Sequence, residues 1–274
     1  MNVAIIGCGY VGKAIAHHWH HELGFNVTAS TTTPERVATL EEVAQRVVVV
    51  KGDDSSALLS VLQDQETVLL SIGAKNADVY EQTYLHTAQT LVSVLKQSPT
   101  VRQVIYTGSY VVYGDRGGAE VDESSPIAPT NSNAEILAQT EQVLLSASRD
   151  NLNVCILRLG GIYGSGRELV KIFSRVAGTT RPGDGSDTTN WIHLDDIVAA
   201  IEFARTNRLQ GIYNLVDDAH LTRYELLEMV CQHYYLPKVL WNSSLKSDRP
   251  YNARVKNQKI KDAGYQLIHP YITL

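Results

Sequence analysis

Gly7-Cys8-Gly9-Tyr10-Val11-Gly12 constrains this chain more than any other stretch, because of what surrounds it. Before it stands an apolar run, Asn2-Val3-Ala4-Ile5-Ile6, that reads as a short buried strand. After it, Ile15, Trp19 and Leu23 recur at the spacing of one helix face. Strand, G-x-G-x-x-G, helix is the order that aims free helix N–H groups at a pyrophosphate. Gly7 suits the tight turn, Gly9 lets phosphate oxygens approach the backbone, and Gly12 lets helix and sheet pack closely. The motif implies dinucleotide binding.

The chain continues in the rhythm such a site needs. Strand candidates are Val3–Ile6, Asn26–Ala29, Val47–Val50, Thr67–Ser71, Gln103–Thr107 and Val154–Leu159. Helical patterns fall near Pro34–Gln45, Ala57–Gln63, Val79–Gln97 and Ala134–Ser148. This alternation predicts an α/β fold, a doubly wound parallel Rossmann sheet, over residues 1–160. Residues 161–274 read as a mixed region, a smaller C-terminal substrate lobe with returning sheet elements near 190–216. Within it, Gly178–Asn190 reads as a polar loop, Gly211–Val216 as a strand, and Thr222-Arg223-Tyr224-Glu225 as a capping box opening a helix. The tail, Leu236–Leu274, reads as irregular.

Several partners are excluded by composition. A formal net charge of −5 offers no attraction to nucleic acid or an anionic membrane. No apolar run approaches the ~20 residues of a membrane span, and the N-terminus does not resemble a signal peptide, so the expected location is the cytoplasm. Cys8, Cys155 and Cys231 form no metal or disulfide framework. His17, His18, His20 and His21 flank Trp19 without a convergent carboxylate and read as a solvated helix face, so no metal site is expected. Oligomeric state is not written in the sequence.

The choice of dinucleotide turns on the end of the second strand. An NAD site places an acid there for the ribose 2′-OH. This chain has Ser30-Thr31-Thr32-Thr33-Pro34-Glu35-Arg36, with no acid before Glu35. Thr33-Pro34 reads as N-cap and first residue of the next helix. Hydroxyls, a helix N-terminus and Arg36 suit a 2′-phosphate, which favours NADP over NAD; the competing reading puts Glu35 on the ribose and Arg36 on the surface. After the third strand, Asp53 or Asp54 either meets the adenine amino group or caps a helix. Ser71 and Gly73 end the fourth strand beside the cofactor. The cofactor set is therefore Gly7, Gly9, Tyr10, Val11, Gly12, Thr31, Arg36, Asp53, Ser71 and Gly73.

Further motifs follow in order: Gly52-Asp53, Ser109-Tyr110-Val111-Val112-Tyr113-Gly114, Asp122-Glu123-Ser124-Ser125-Pro126 and Leu157-Arg158-Leu159-Gly160-Gly161-Ile162-Tyr163-Gly164. Gly166-Arg167, Trp191-Ile192-His193-Leu194-Asp195-Asp196 and Tyr213-Asn214-Leu215 complete the series. With the N-terminal glycines they resemble the extended short-chain dehydrogenase/reductases, the NAD(P)-dependent epimerase/dehydratase family. Ser165 replaces the proline usual in that family's Tyr-Gly-Pro-Gly-Arg pattern. The resemblance implies hydride chemistry with a Ser or Thr, a Tyr and a Lys spaced Y-x-x-x-K. Ser109 matches the first. The helix carrying Glu141-Gln142-Val143-Leu144 puts Asn133 at the Tyr position and Leu137 at the Lys position. No register restores the pair, since no Tyr lies between Tyr113 and Tyr163 and no Lys between Lys96 and Lys171. Tyr234…Lys238 has the spacing but contains Pro237. Asn133 has no proton to exchange and Leu137 cannot lower a pKa. The chain thus resembles an atypical branch that keeps the nucleotide loop without the dyad.

Ser109, as a donor to a substrate carbonyl, and Tyr110, as a substitute acid, remain the catalytic candidates; a turn-satisfying serine is the alternative for Ser109. Tyr163, Arg167, His193 and Arg249 are the substrate-binding candidates. Asp248-Arg249-Pro250-Tyr251-Asn252-Ala253-Arg254 is similar to the arginine segment of nucleotide-sugar enzymes. A small-molecule substrate, anionic or nucleotide-linked, is implied. Asp195 and Asp196 read as helix-capping acids. The function expected is an NADP-binding oxidoreductase or epimerase-like protein with a non-standard active site. The alternative is a non-catalytic NADP(H) sensor or scaffold.

Overall fold

The computed structural model describes residues 1–274. Its sheet strands are β1 (Asn2–Ile6), β2 (Asn26–Thr31), β3 (Arg46–Val49), β4 (Thr67–Leu70) and β5 (Gln103–Ser109). They continue through β6 (Asp115–Val121), β7 (Asn153–Leu159), β8 (Gly161–Tyr163), β9 (Thr180–Pro182) and β10 (Trp191–His193). The last are β11 (Gly211–Leu215), β12 (Leu240–Asn242) and β13 (Asn252–Val255). Helices are α1 (Tyr10–His17), α2 (Val37–Glu41), α3 (Ser55–Leu62), α4 (Thr87–Leu95) and α5 (Ser132–Leu145). Then come α6 (Leu169–Phe173), α7 (Leu194–Thr206), α8 (Arg223–His233) and α9 (Gln258–Asp262). No helix is long and apolar enough to cross a membrane.

Seven strands form one parallel sheet in the order β11-β7-β5-β4-β1-β2-β3. Successive side chains on a strand face opposite sides. Ala4, Ile6, Val68, Leu70, Val104, Tyr106, Val154 and Ile156 therefore share one face, packed with Leu58, Leu62, Leu91 and Leu95 of α3 and α4. Their neighbours Val3, Ile5, Leu69, Ile105, Cys155 and Leu157 are buried as well. Burial on both faces is why these strands read as continuous apolar runs rather than alternating ones. Each such Leu or Ile stabilises the fold by ~1.5–3 kcal/mol. Trp19 is fully buried and its indole N–H donates to Glu202 at 2.9 Å.

The chain separates into two compact units. The first contains Met1–Ser109, Ser132–Arg158 and Val198–Tyr213; the second contains Tyr110–Asn131, Leu159–Ile197 and Asn214–Leu274. In the second, β6 pairs with β13, β8 with β10 and β9 with β12. One of its cores is Tyr110, Tyr113, Val121, Val216, Ala253 and Val255. Another gathers Tyr163, Leu169, Leu226 and Val230.

Three local stretches differ from the sequence expectations. The helix expected over Val79–Gln97 breaks into a 3₁₀ turn at Ala77–Val79, a π turn at Gln82–His86 and then α4. Beside this break Thr87 packs against Gly52, which leaves no room there for a Cβ. The expected irregular tail contains β12, β13 and α9, and the expected loop at Gly178–Asn190 contains β9. Both rest on pairings with distant segments, β12 with β9 and β13 with β6, which local composition does not reveal.

Candidate functional site

Strand order in the sheet reverses between β1 and β4, and open α/β sheets bind ligands in the crevice at the carboxyl ends of such strands. In the first unit a cavity of about 420 Å³ lies there. Its wall joins Gly7 and Gly9 after β1, Thr31, Thr32 and Thr33 at the end of β2, Gly52 and Asp53 after β3, and Ser71 and Gly73 after β4.

The glycines differ in purpose. Gly7 has φ +84°, and a Cβ there would meet the Ser71 carbonyl oxygen at 2.7 Å. A Cβ on Gly12 would lie 2.9 Å from the Gly7 carbonyl oxygen, so α1 packs closely on the turn. Added Cβ atoms on Gly9 and Gly73 meet no protein atom within 4 Å. Both positions line the cavity, and side chains there would occupy it. The Ser30 hydroxyl accepts the Gly7 N–H at 3.1 Å, and its carbonyl accepts the Cys8 N–H at 2.8 Å, fixing the turn on β2. α1 starts at Tyr10, directly after Gly9, with Tyr10 half-buried and Val11 and Gly12 buried beneath the turn. This cradle fits a pyrophosphate at a helix N-terminus.

At the cavity's β2 side, Arg36 belongs to the wall and Glu35, which is exposed, does not. Pro34–Arg36 form a 3₁₀ turn with Thr33 extended before it, and the Thr31 hydroxyl accepts the Thr33 N–H. Asp54 is the acid that caps α3, accepting the Ala57 N–H at 3.0 Å. Asp53 remains on the cavity wall and accepts from the Gln82 amide at 2.8 Å. Arg36, Lys51 and Lys75 against Asp53 give the wall three cations to one carboxylate, a field suited to phosphates. Burial pushes the Cys8 thiol up to about 11, with Arg36 and Lys13 opposing only in part.

Ser109, half-buried, is the last residue of β5 in this unit. On α5, Asn133, Leu137 and Glu141 follow one another at four-residue spacing along one face; Asn133 is half-buried, and Leu137 and Glu141 are buried. Glu141 accepts from both Nε and Nη2 of Arg158 on β7, the latter at 2.7 Å. A Cβ on Gly108 would stand 3.1 Å from that carboxylate, so the glycine admits the pair beside β5. Leu137 thus fills a core position.

In the second unit, Tyr110 is buried, and its hydroxyl accepts from Arg249 Nη2 at 2.7 Å. The Arg249 guanidinium also lies over the Tyr251 ring, 4.9 Å from its centroid. Burial raises the Tyr110 phenol above its usual range, and Arg249 pulls it back. Tyr163 and His193 are register partners on β8 and β10, with ring centroids 5.0 Å apart. The Tyr163 hydroxyl accepts the Thr273 N–H at 3.3 Å. Arg167 is exposed, its backbone bridged to Gly164.

A sequence model of the NAD dependent epimerase/dehydratase family matches residues 3–215. Protein YeeZ of Escherichia coli strain K12 is 30% identical over 257 residues, covering 90% of this chain and 89% of that one. The chain belongs to the NAD-dependent epimerase/dehydratase family. dTDP-glucose 4,6-dehydratase of Streptomyces griseus is 27% identical over 67% of this chain and 57% of its own. Among solved structures, a Bacillus anthracis dTDP-glucose 4,6-dehydratase in complex with NAD has a TM-score of 0.82 at 17% identity, covering 98% and 92% of the two chains. MoeE5 in complex with UDP-glucose and NAD has a TM-score of 0.80 at 20% identity, covering 98% and 94%. These two likenesses show the shared fold.

Lys51, Lys75, Gln82 and Thr83 join the cavity wall without having been singled out as site residues in the sequence. Lys51 lies two residues past the end of β3, a position the strand pattern makes legible. Gln82 and Thr83 sit on the π turn, whose facing no regular helical period predicts.

Proposed function

We propose that this family member is an NADP-binding oxidoreductase or epimerase-like enzyme whose proton-handling group differs from the family's Tyr-Lys dyad. The observation that carries the cofactor reading is the cavity wall at the end of β2: three threonines and Arg36, with Glu35 outside it. A guanidinium holds a 2′-phosphate through charge-assisted hydrogen bonds that a 2′-OH does not make. Gly7 and Gly9 would receive the pyrophosphate, Arg36 with Thr31–Thr33 the 2′-phosphate, and Asp53 the adenine side. When bound, the nicotinamide supplies or accepts the hydride.

The chain's own residues then have distinct tasks. Ser109 offers a hydroxyl at the carboxyl edge of the sheet to polarise a substrate carbonyl. Tyr110 and Tyr251 hold Arg249, which suits an anionic or nucleotide-linked substrate. MoeE5 binds UDP-glucose, and such sugar nucleotides are the first substrates to test. Leu137 in the core and Asn133 beside it support a rebuilt or weak acid–base step, and they also favour the second reading, a non-catalytic NADP(H) sensor.

Single-turnover assays with bound NADPH and a panel of carbonyl compounds and sugar nucleotides separate the two. The enzyme reading expects oxidation of NADPH with at least one member, slowed roughly 10²-fold or more by Ser109→Ala and little changed by Asn133→Ala. No oxidation with any member would leave the sensor reading. A large loss in Asn133→Ala would assign that residue a role in proton transfer.

A further inference from the structure

We propose that His193, Asp195 and His269, in the second unit, bind one divalent transition-metal ion, for which zinc is the best chemical match. His193 ends β10, and Asp195 lies two residues on, in the first turn of α7. His269 comes from the C-terminal tail. Asp195 Oδ2 is 3.1 Å from His269 Nε2 and 3.4 Å from His193 Nδ1. One ligand atom from each residue falls within 4.8 Å of the others. Zinc bonds to imidazole and carboxylate of about 2.0–2.1 Å set the edge of a ligand tetrahedron near 3.3 Å. The two measured edges already fall on either side of that value. Two imidazoles and one carboxylate are a borderline donor set that suits zinc, and the half-exposed position leaves a fourth corner for solvent.

The ligands are held in place by their surroundings. Asp196 is fully buried, and its carboxylate accepts the N–H groups of Ile268 and His269, at 2.6 and 2.9 Å, and the Tyr265 hydroxyl at 2.9 Å. That clamp fastens the tail so that the His269 ring lies 3.9 Å, centroid to centroid, from His193. Thr273 Oγ1 is 3.3 Å from His269 Nδ1, leaving Nε2 for an ion, the usual outer support of a ligating histidine. His193 Nδ1 accepts the Asp195 N–H at 3.2 Å, so this nitrogen carries its lone pair rather than a proton. A metal would take over that long bond and tie the tail to β10. The sequence offered no warning, because two ligands are close in the chain and the third is brought in by Asp196.

The test uses the full chain, without an affinity tag, stripped with chelator and titrated with Co²⁺ by visible absorption and with Zn²⁺ in competition with a chromogenic chelator. One equivalent should bind with the intense d–d bands of a tetrahedral Co²⁺ site. His269→Ala and Asp195→Asn should each abolish those bands and weaken Zn²⁺ at least tenfold, while His20→Ala leaves both unchanged. Circular dichroism checks that each variant is folded, and the exposed Asp195 carries the test if His269→Ala is not. No stoichiometric binding, or equal affinity in Asp195→Asn, would overturn the proposal. Loss of binding in His20→Ala would place the ion on the histidine-rich turn after α1 instead.

Discussion

Replacing Asp217 with asparagine should make the protein more resistant to unfolding at alkaline pH, by an amount that depends on pH in a defined way. Asp217 is 3% exposed, and Oδ2 has no protein partner, while the other oxygen accepts the Ala219 N–H at 3.2 Å. Burial pushes its carboxyl from 3.8 up to about 7, with Asp218 and Asp196 adding repulsion. A carboxyl whose folded pKa exceeds its unfolded value holds its proton more tightly when folded. Its contribution to stability is therefore intact below about pH 4 and is lost as pH rises through 7. At 1.36 kcal/mol per unit, the loss is ~1.4 kcal/mol for each pH unit across that window and about 4 kcal/mol in full. The amide of Asp217→Asn carries its own burial cost of ~1–3 kcal/mol, the same at every pH. The slope of the difference, not its intercept, is the prediction. Urea unfolding by circular dichroism at pH 4.5, 5.5, 6.5 and 8, compared at equal m-values, measures it. The Asp217→Asn variant should gain on the parent from pH 4.5 to 7 and run parallel above. A difference independent of pH would refute the reasoning, showing that Asp217 stays ionised with partners of its own.

Two other perturbations follow from the first unit. Arg158→Leu leaves the buried Glu141 carboxylate alone and should cost about 3–5 kcal/mol, whereas the double variant with Glu141→Leu should recover most of it; equal losses in a urea melt of both variants would contradict a desolvated pair. Gly9→Val should abolish dinucleotide quenching of tryptophan fluorescence while leaving the far-ultraviolet spectrum unchanged, and normal binding by a folded variant would remove the Gly7–Gly12 turn from the phosphate site.

How much of this could be read before the fold was seen depends on the range of the forces involved. The buried strands and the glycine turn were readable because each depends on neighbours within a few residues: Ala4 and Ile6 on one face, Val3 and Ile5 on the other, then Gly7 in the left-handed region. The capping box at Thr222 was readable for the same reason, and both of its reciprocal hydrogen bonds form. β6 was not, since Gly117 and Gly118 interrupt it with positive φ and its partner β13 lies more than a hundred residues away. The choice between Asp53 and Asp54 stayed open in sequence because adjacent acids compete for one cap; it was decided by Gln82 reaching Asp53 and Ala57 reaching Asp54. Asp196 read as a helix-start acid, and it does lie in the first turn of α7, yet its carboxylate holds the tail.

In the proposed NADP site, Arg36 on the cavity wall of the first unit would meet the 2′-phosphate. Calorimetric titration of the full chain with NADPH and with NADH, repeated on Arg36→Ala, measures this directly. NADPH should bind more tightly, by roughly 10- to 100-fold for a charged hydrogen-bonding pair worth ~1.5–3 kcal/mol, and Arg36→Ala should close most of that gap by weakening NADPH alone. NADH binding as tightly as NADPH, or more so, would contradict the account and make Glu35 the residue that meets the ribose.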